Sequence, residues 1–203
     1  IMAALQNTLL IAFLSALIAT IIGTAASIAI NSMKQIPQTI VMGITNIPML
    51  NADIVTGISL MLAFLAFGIS LGFKTVLIAH ITFNIPYVIL SVMPKLKQTN
   101  RYTYEAALDL GASPIRAFFK VVFPDILPGV LSGFLLAFTM SLDDFIITHF
   151  TRGAGINTLS TLIYSEVRRG IKPSMYALST VIFAVVLALL LISNFAPKKK
   201  QEA

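Results

Sequence analysis

Residues 104–129 read YEAALDLGASPIRAFFKVVFPDILPG, and the reading of this stretch decides the fold of the chain. It is the longest amphipathic, charge-bearing interruption in an otherwise apolar sequence, with Glu105, Asp109, Arg116 and Lys120 close together. Tyr104–Leu110 suits a helix, with alanines and leucines and with Glu105 and Asp109 one turn apart. Gly111 ends that helix, because glycine readily takes the left-handed conformation. Ser113–Pro114 then restarts one, with serine as N-cap and proline at the first helical position. Arg116 and Lys120 share a face of this second helix, and Phe118, Phe119, Val122 and Phe123 are left for lipid or neighbouring helices. A plain solvated loop seldom holds a helix, a glycine turn and a capped helix in succession. The stretch reads as a short helical element at a membrane surface, placed to receive a push from a soluble partner.

The sequence on either side supplies the membrane. The chain has 203 residues, 57% hydrophobic and only 11% charged, where a soluble domain carries about 25% charged residues. The fold class expected is an all-α integral membrane protein, a single transmembrane domain over 1–203. Apolar runs of about 20 residues are long enough to cross a bilayer, and five spans are expected. They cover residues 5–30, 36–72 broken at Pro48, 74–93, 125–150 and 174–195. The 37 residues of the second segment would reach about 55 Å as one helix against about 30 Å of hydrocarbon. Pro48 removes a backbone donor, and Pro48–Ala52 is expected as the break. The first span is rich in Ala16, Ala19, Gly23, Ala25, Ala26 and Ser27, which let helices approach closely in lipid. No cleavable leader is read, since no basic start and no small-residue cleavage site precede a polar chain.

Charge sets the orientation. Of the 14 Lys and Arg residues, 9 fall on the side of the 95–124 loop and the Lys198–Lys200 tail, and 5 on the other. The positive-inside rule puts that loop and the C-terminus in the cytoplasm. The net charge of +6 is read as this signal and as contact with membrane lipid through the tail, not as a nucleic-acid footprint. The absence of cysteine rules out disulfides, thiol catalysis and cysteine metal sites in this chain. His80 and His149 show no HExxH-type spacing, so no metal is expected. No GxxxxGK[ST] sequence occurs, so any ATP hydrolysis belongs to a separate subunit, and no cofactor is expected.

Glu105, Ala106 and Ala107, then Gly111, then Val121, Phe123 and Pro124 form a pattern that resembles the cytoplasmic EAA loop of bacterial ABC importer permeases. The family more often has Ile and Leu where Val121 and Phe123 stand, a change that keeps the apolar character. The resemblance implies a type I ABC importer permease core whose EAA helix docks in a groove of the ATPase. Glu105, Ala106, Ala107, Asp109, Gly111 and Pro124 would then be coupling residues, not catalytic ones. The segments DIVTGISLMLAF, GFKTVLIAHITFNIPYVI and SLDDFIITHF are similar to the permease subunits of spermidine/putrescine importers, and the likeness extends over most of the chain. It implies an ATP-binding cassette ATPase dimer, a second permease subunit and an extracytoplasmic polyamine-binding protein as partners, at the bacterial cytoplasmic membrane. Such permeases carry a helix before the span that begins near Leu5. The expectation is that this first helix is missing, by truncation or because the sequence is part of a longer chain.

The candidate substrate path is Asp53, Asp143, Asp144, Asn51 and Asn84. A charge inside a span costs about 2.5–3.5 kcal/mol on the insertion scale and normally faces a partner or a water-filled path. Asp53 follows the Pro48 break, where irregular backbone should line a cavity. A carboxylate there replaces water around an ammonium group; equally, Asp53 serves as N-cap of the second helical piece. Asp143 and Asp144 lie roughly 30 Å along a helix from Pro124, near the outer mouth, and point about 100° apart. One attracts a cationic substrate while the other pairs with Arg152 or Arg168, or both belong to a salt-bridged helix end. Asn84 is a candidate for the path or for an interhelical hydrogen bond, with Pro86 as a kink. Arg168, Arg169 and Glu166 read as loop charges or as contacts for a substrate-delivering protein.

These carboxylates, with no basic residue inside a span, favour a cationic solute over ferric ion or an organic anion carried by the same machinery. An intramembrane enzyme would have only Asp53 and Asp143 to work with and lacks a GxGD-type pattern. A passive cation channel would need no EAA loop.

Overall fold

The computed structural model describes residues 1–169 together with positions 177, 180, 181, 183 and 184. The expected last span, 174–195, and the lysine tail lie outside the described residues apart from those isolated positions. The chain divides into two units, Ile1–Thr161 and Leu162–Ala203. The helices are α1 Met2–Asn31, α2 Gln35–Leu50, α3 Asp53–Ala66, α4 Phe73–Gln98, α5 Arg101–Asp109 and α6 Pro114–Ala117. A π-helical turn, Phe118–Val122, leads into α7 Phe123–Asp143, followed by α8 Ile146–Thr151 and α9 Leu159–Arg169.

In the first unit α1, α4 and α7 form the core. Ala16 and Ala19 of α1, Val88, Val92 and Leu96 of α4, and Ile126 and Ala137 of α7 make one buried apolar cluster. The small residues do what their size allows. A Cβ placed on Gly23 would lie 2.7 Å from Val88 Cγ1 and 3.3 Å from the Ile85 carbonyl oxygen. Gly129 and Gly133 of α7 meet α4 at Ser91–Lys95 and at Val88–Ser91, so α7 runs antiparallel to α4. A second cluster, Phe64, Ala79, Phe83 and Ile147, joins α3, α4 and α8. By contrast α2 buries no residue, and Ile36, Ile40, Ile44 and Ile47 form an exposed row along it.

Among the described residues three helices are long and apolar enough to cross a membrane: Met2–Asn31, Phe73–Gln98 and the continuous rod Pro114–Asp143. The pair α2 and α3, bent by 102°, adds a fourth if counted as one span. One expected boundary is narrowed and another corrected. The segment breaks inside the expected Pro48–Ala52 but beyond the proline itself: α2 runs through Pro48 to Leu50, and the break falls on Asn51 and Ala52, both extended. A proline costs the helix one hydrogen bond, which a membrane helix tolerates. At the break, Asn51 turns its side chain to Thr56 Oγ1 at 3.3 Å. The expected span 125–150 ends instead at Asp143, for a reason taken up below.

The loop expected over 95–124 is also shorter than read. α4 continues through Pro94 to Gln98, and the second short helix is the start of the rod, not a separate piece. The π turn makes that continuity possible. Pro124 has no N–H for the Lys120 carbonyl, and its ring crowds that group. The helix widens one turn earlier, where the Phe123 N–H reaches back to the Phe118 carbonyl.

Gly23→Ala should lower the stability of the detergent-solubilised protein by about 1–3 kcal/mol, because β-branched Val88 cannot swing aside. Thermal unfolding followed by circular dichroism measures it; an unchanged midpoint would show that α1 and α4 do not pack this closely.

Candidate functional site

The EAA stretch folds as its residues dictate. Asn100 caps α5, its Oδ1 accepting the Tyr102 N–H at 3.0 Å. At the other end Gly111 adopts φ +84°. Its N–H donates to the Leu108 carbonyl at 2.9 Å, and the Ala112 N–H donates to the Ala107 carbonyl at 3.1 Å. This paired closure consumes the last free carbonyls of α5. Ser113 Oγ then accepts the Arg116 N–H at 3.4 Å, with Pro114 opening α6. Glu105, Ala106, Asp109, Gly111 and Pro124 are exposed and Ala107 is half-buried. The sequence reading overlooked Leu110 and Ile115, which stand 89% and 73% exposed beside them. Two bare aliphatic side chains at a helix–turn–helix corner are the kind of knob a groove accepts; their place next to Gly111 was the available signal. Phe118, Phe119 and Phe123 pack ring on ring at 5.3–6.4 Å around the π turn. A cavity of about 450 Å³, lined by Asn31, Ser32, Thr99, Asn100, Tyr104 and Phe118 among others, separates the end of α1 from this assembly.

The acidic residues divide into two kinds. Asp53 is exposed in the first turn of α3 and makes no capping hydrogen bond. The N-cap alternative therefore does not describe it, although its charge suits the helix N-terminus. Asn51 is exposed beside it. Asp143 ends α7 and is exposed. Asp144 is different. Its side chain is 8% exposed, and its carboxylate accepts the Ile147 N–H at 3.2 Å, the Thr148 N–H at 2.8 Å and the Thr148 hydroxyl at 2.8 Å. It caps α8, and the extended backbone at Asp144 is what stops α7. His80 Nε2 lies 3.4 Å from the same carboxylate.

The expected pairing of one of these acids with Arg152 is corrected. Arg152 Nη1 donates to the Ile156 carbonyl at 3.2 Å and to Asn157 Oδ1, holding its own loop. Arg168, in the second unit, lies over the Tyr164 ring at 6.0 Å. Asn84 is also displaced from its expected place: it is fully buried in α4, with no hydrogen-bond partner among the described residues. In this conformation Asn84 and Asp144 lie inside the packing, while Asn51, Asp53 and Asp143 are open. No three His, Asp or Glu side chains converge as metal ligands among the described residues.

Residues 16–197 match the model of the family described as binding-protein-dependent transport system inner membrane component. The chain belongs to this family. It is thus a multi-pass component of a membrane transport system and not an enzyme, and systems of this family work with a binding protein and an ATPase. It is 39% identical over 193 residues to the spermidine/putrescine transport system permease protein PotC of Haemophilus influenzae, covering 95% of this chain and 75% of that one. It is 37% identical over 192 residues to the putrescine transport system permease protein PotI of Escherichia coli K12, covering 91% and 68%. Among solved structures, one of the MetNI methionine ABC transporter in inward-facing conformations superposes with a TM-score of 0.72 at 18% identity, over 94% of this chain and 90% of that one. The type I permease fold is therefore shared with a protein of quite different sequence. The transport component's helix–turn–helix corner sits at one end of the rod and Asp143 at the other, about 45 Å away.

A Cβ on Gly111 would meet nothing within 4 Å, so substitutions there act through the backbone alone. Gly111→Val should cost about 1–2 kcal/mol and Gly111→Asn far less. Amide hydrogen exchange at Ala112 should accelerate in the valine variant and stay near its original rate in the asparagine variant. Equal exchange in both would remove the positive φ from the account.

Proposed function

We propose that this chain is a permease subunit of an ATP-driven importer that carries polyamines such as spermidine and putrescine across the bacterial cytoplasmic membrane. The observation that carries the reading is the placement of Asp53 and Asp143: two open carboxylates, each at a helix break, in a chain only 11% charged. A carboxylate at membrane depth is costly unless it faces water or a cation. A polyamine arrives as a flexible string of ammonium groups that loses hydration on entering a narrow path. Carboxylates spaced along that path replace the lost water. The names of the relatives, permease proteins of spermidine/putrescine and putrescine transport systems, agree with this chemistry.

The subunit works beside a second permease, a pair of ATPase subunits and an extracytoplasmic polyamine-binding protein. The EAA corner, with Glu105, Ala106, Ala107, Asp109 and Gly111, docks on the ATPase from the cytoplasm, where the C-terminus also lies; 9 of the 14 basic residues fall on that side. Leu110 and Ile115 enter the groove. Closure of the ATPases on ATP shifts the corner, and the rod Pro114–Asp143 carries that shift across the membrane. The path opens in turn to each side because the two states are distinct packings of the same helices.

Asp53→Asn and Asp143→Asn should each raise the KM for spermidine uptake about tenfold, the value of one charge-assisted contact, in the assembled importer in proteoliposomes. Uptake kinetics indistinguishable from those of the unsubstituted chain in both variants would rule out the polyamine path.

A further inference from the structure

His80 is buried among α4, α7 and α8, 1% exposed and two turns into α4. It touches three other elements. Nδ1 lies 2.5 Å from Ser141 Oγ on α7, and Ser141 Oγ lies 3.1 Å from Ser15 Oγ on α1. Nε2 lies 2.9 Å from Thr148 Oγ1 on α8 and 3.4 Å from Asp144 Oδ2 at the break before it. The hydrogens of this cluster can be assigned. Thr148 Oγ1 gives its proton to Asp144, and Asp144 is itself an acceptor. Both neighbours of Nε2 are therefore acceptors, and Nε2 carries the hydrogen. With a neutral ring, Nδ1 accepts from the Ser141 hydroxyl, whose oxygen accepts from Ser15 when that hydroxyl turns from the Ala12 carbonyl 3.2 Å away. Every member is satisfied in one direction, from α1 to the break.

The arrangement has the residue types of a Ser–His–Asp hydrolase, but Ser141 is 3% exposed and no substrate reaches it. Its effect is mechanical. Asp144 could cap α8 from a range of positions; the Nε2–H and Thr148 together fix it against α4. The Asp144 backbone is extended, at φ −63° and ψ 125°, so fixing its side chain fixes the turn that begins at Asp143. The Ser160 hydroxyl completes the turn by donating to the Asp144 carbonyl at 2.8 Å.

We propose that His80 is a positioning residue for transport: through Asp144 it pins the α7–α8 turn to α4 and thereby holds the Asp143 carboxylate at the open face. The inference rests on the reading of Asp143 as a path residue, and its test separates the two. Because the chain has no cysteine, Asp143→Cys creates a single thiol in it, which 2-aminoethyl methanethiosulfonate can label in the assembled importer. Combined with His80→Phe, which keeps the ring and removes both nitrogens, labelling of that thiol should slow about tenfold, as the loss of a hydrogen bond to a charged group allows. Combined with His80→Gln, which keeps an N–H for Asp144 and Thr148, the rate should fall between. This rescue by the conservative variant is what a role in bulk packing would not give, and it remains readable should the phenylalanine variant fail to assemble. With Asp143 intact, His80→Phe should raise the KM for spermidine about as much as Asp143→Asn does, and the two together should do no more than either alone. Equal labelling in all His80 backgrounds, or KM effects that multiply, would overturn the positioning role. Retarded labelling beside an unchanged KM in Asp143→Asn would uphold the positioning of residue 143 and refute the path.

Discussion

Hydrocarbon offers no partner to a backbone N–H or carbonyl, and that constraint governs how each interruption in this chain is built. There are three. Between α2 and α3 two extended residues turn the chain by 102°, and the exposed groups there are polar: Asn51 and Asp53. At the start of the rod, Pro124 withdraws a donor and the π turn takes up the slack. Between α7 and α8 the carboxylate of Asp144 receives the N–H groups of Ile147 and Thr148. The first and third interruptions are the places where polar groups open outward, and the second is where the helix–turn–helix corner joins the span. Breaks that cost hydrogen bonds have been placed where irregular backbone has a use.

The corner and the rod were largely legible. Asn100, Gly111, Ser113 and Pro114 act through their own φ, ψ and side chains within four residues, so local chemistry decides their geometry. The small residues of α1 were legible for a similar reason, since close approach demands small side chains whatever the partner. The residues of the first break were legible only to within the expected Pro48–Ala52. Pro48 looks like the disruptive residue, but a proline bends a helix without ending it, and the two extended residues lie beyond it. The roles of Asp143 and Asp144 could not be divided from sequence either. A helix separates neighbours by about 100°, but which of them turns inward depends on what waits there. What waits is His80, 64 residues earlier and on another helix. A pairing of that range leaves no spacing for a motif to register.

The rod also changes how Asp53 relates to the helix–turn–helix corner. From the sequence the two belong to unconnected spans, and a push at one has no evident route to the other. In the fold the route is short. The corner is continuous with α7, α7 ends at the Asp144 turn, and α8 follows it. Against α8 lies Gly57 of α3, one turn beyond Asp53, where an added Cβ would sit 3.4 Å from the Ile147 Cα and 3.2 Å from the Phe150 ring. Phe64 and Ile147 extend the same contact. The absence of a side chain at Gly57 lets α3 rest on the backbone of α8, and packed backbone shifts as a unit because interiors are close-packed.

Both open carboxylates therefore ride on the same small body. Asp143 leads into the turn that Asp144 caps, and Asp53 heads the helix that rests on α8. A displacement of the rod must either carry α4 along with it or break the bonds from His80 to Ser141, Thr148 and Asp144. Those bonds are all buried, so breaking one leaves a polar group unpaired in a medium that cannot solvate it. Moving α3, α4, α7 and α8 as one costs less than tearing them apart, because α2 buries no residue and offers little resistance on the other side of the bend. On this geometry Asp53 and Asp143 keep their spacing whenever the packed helices shift as a unit.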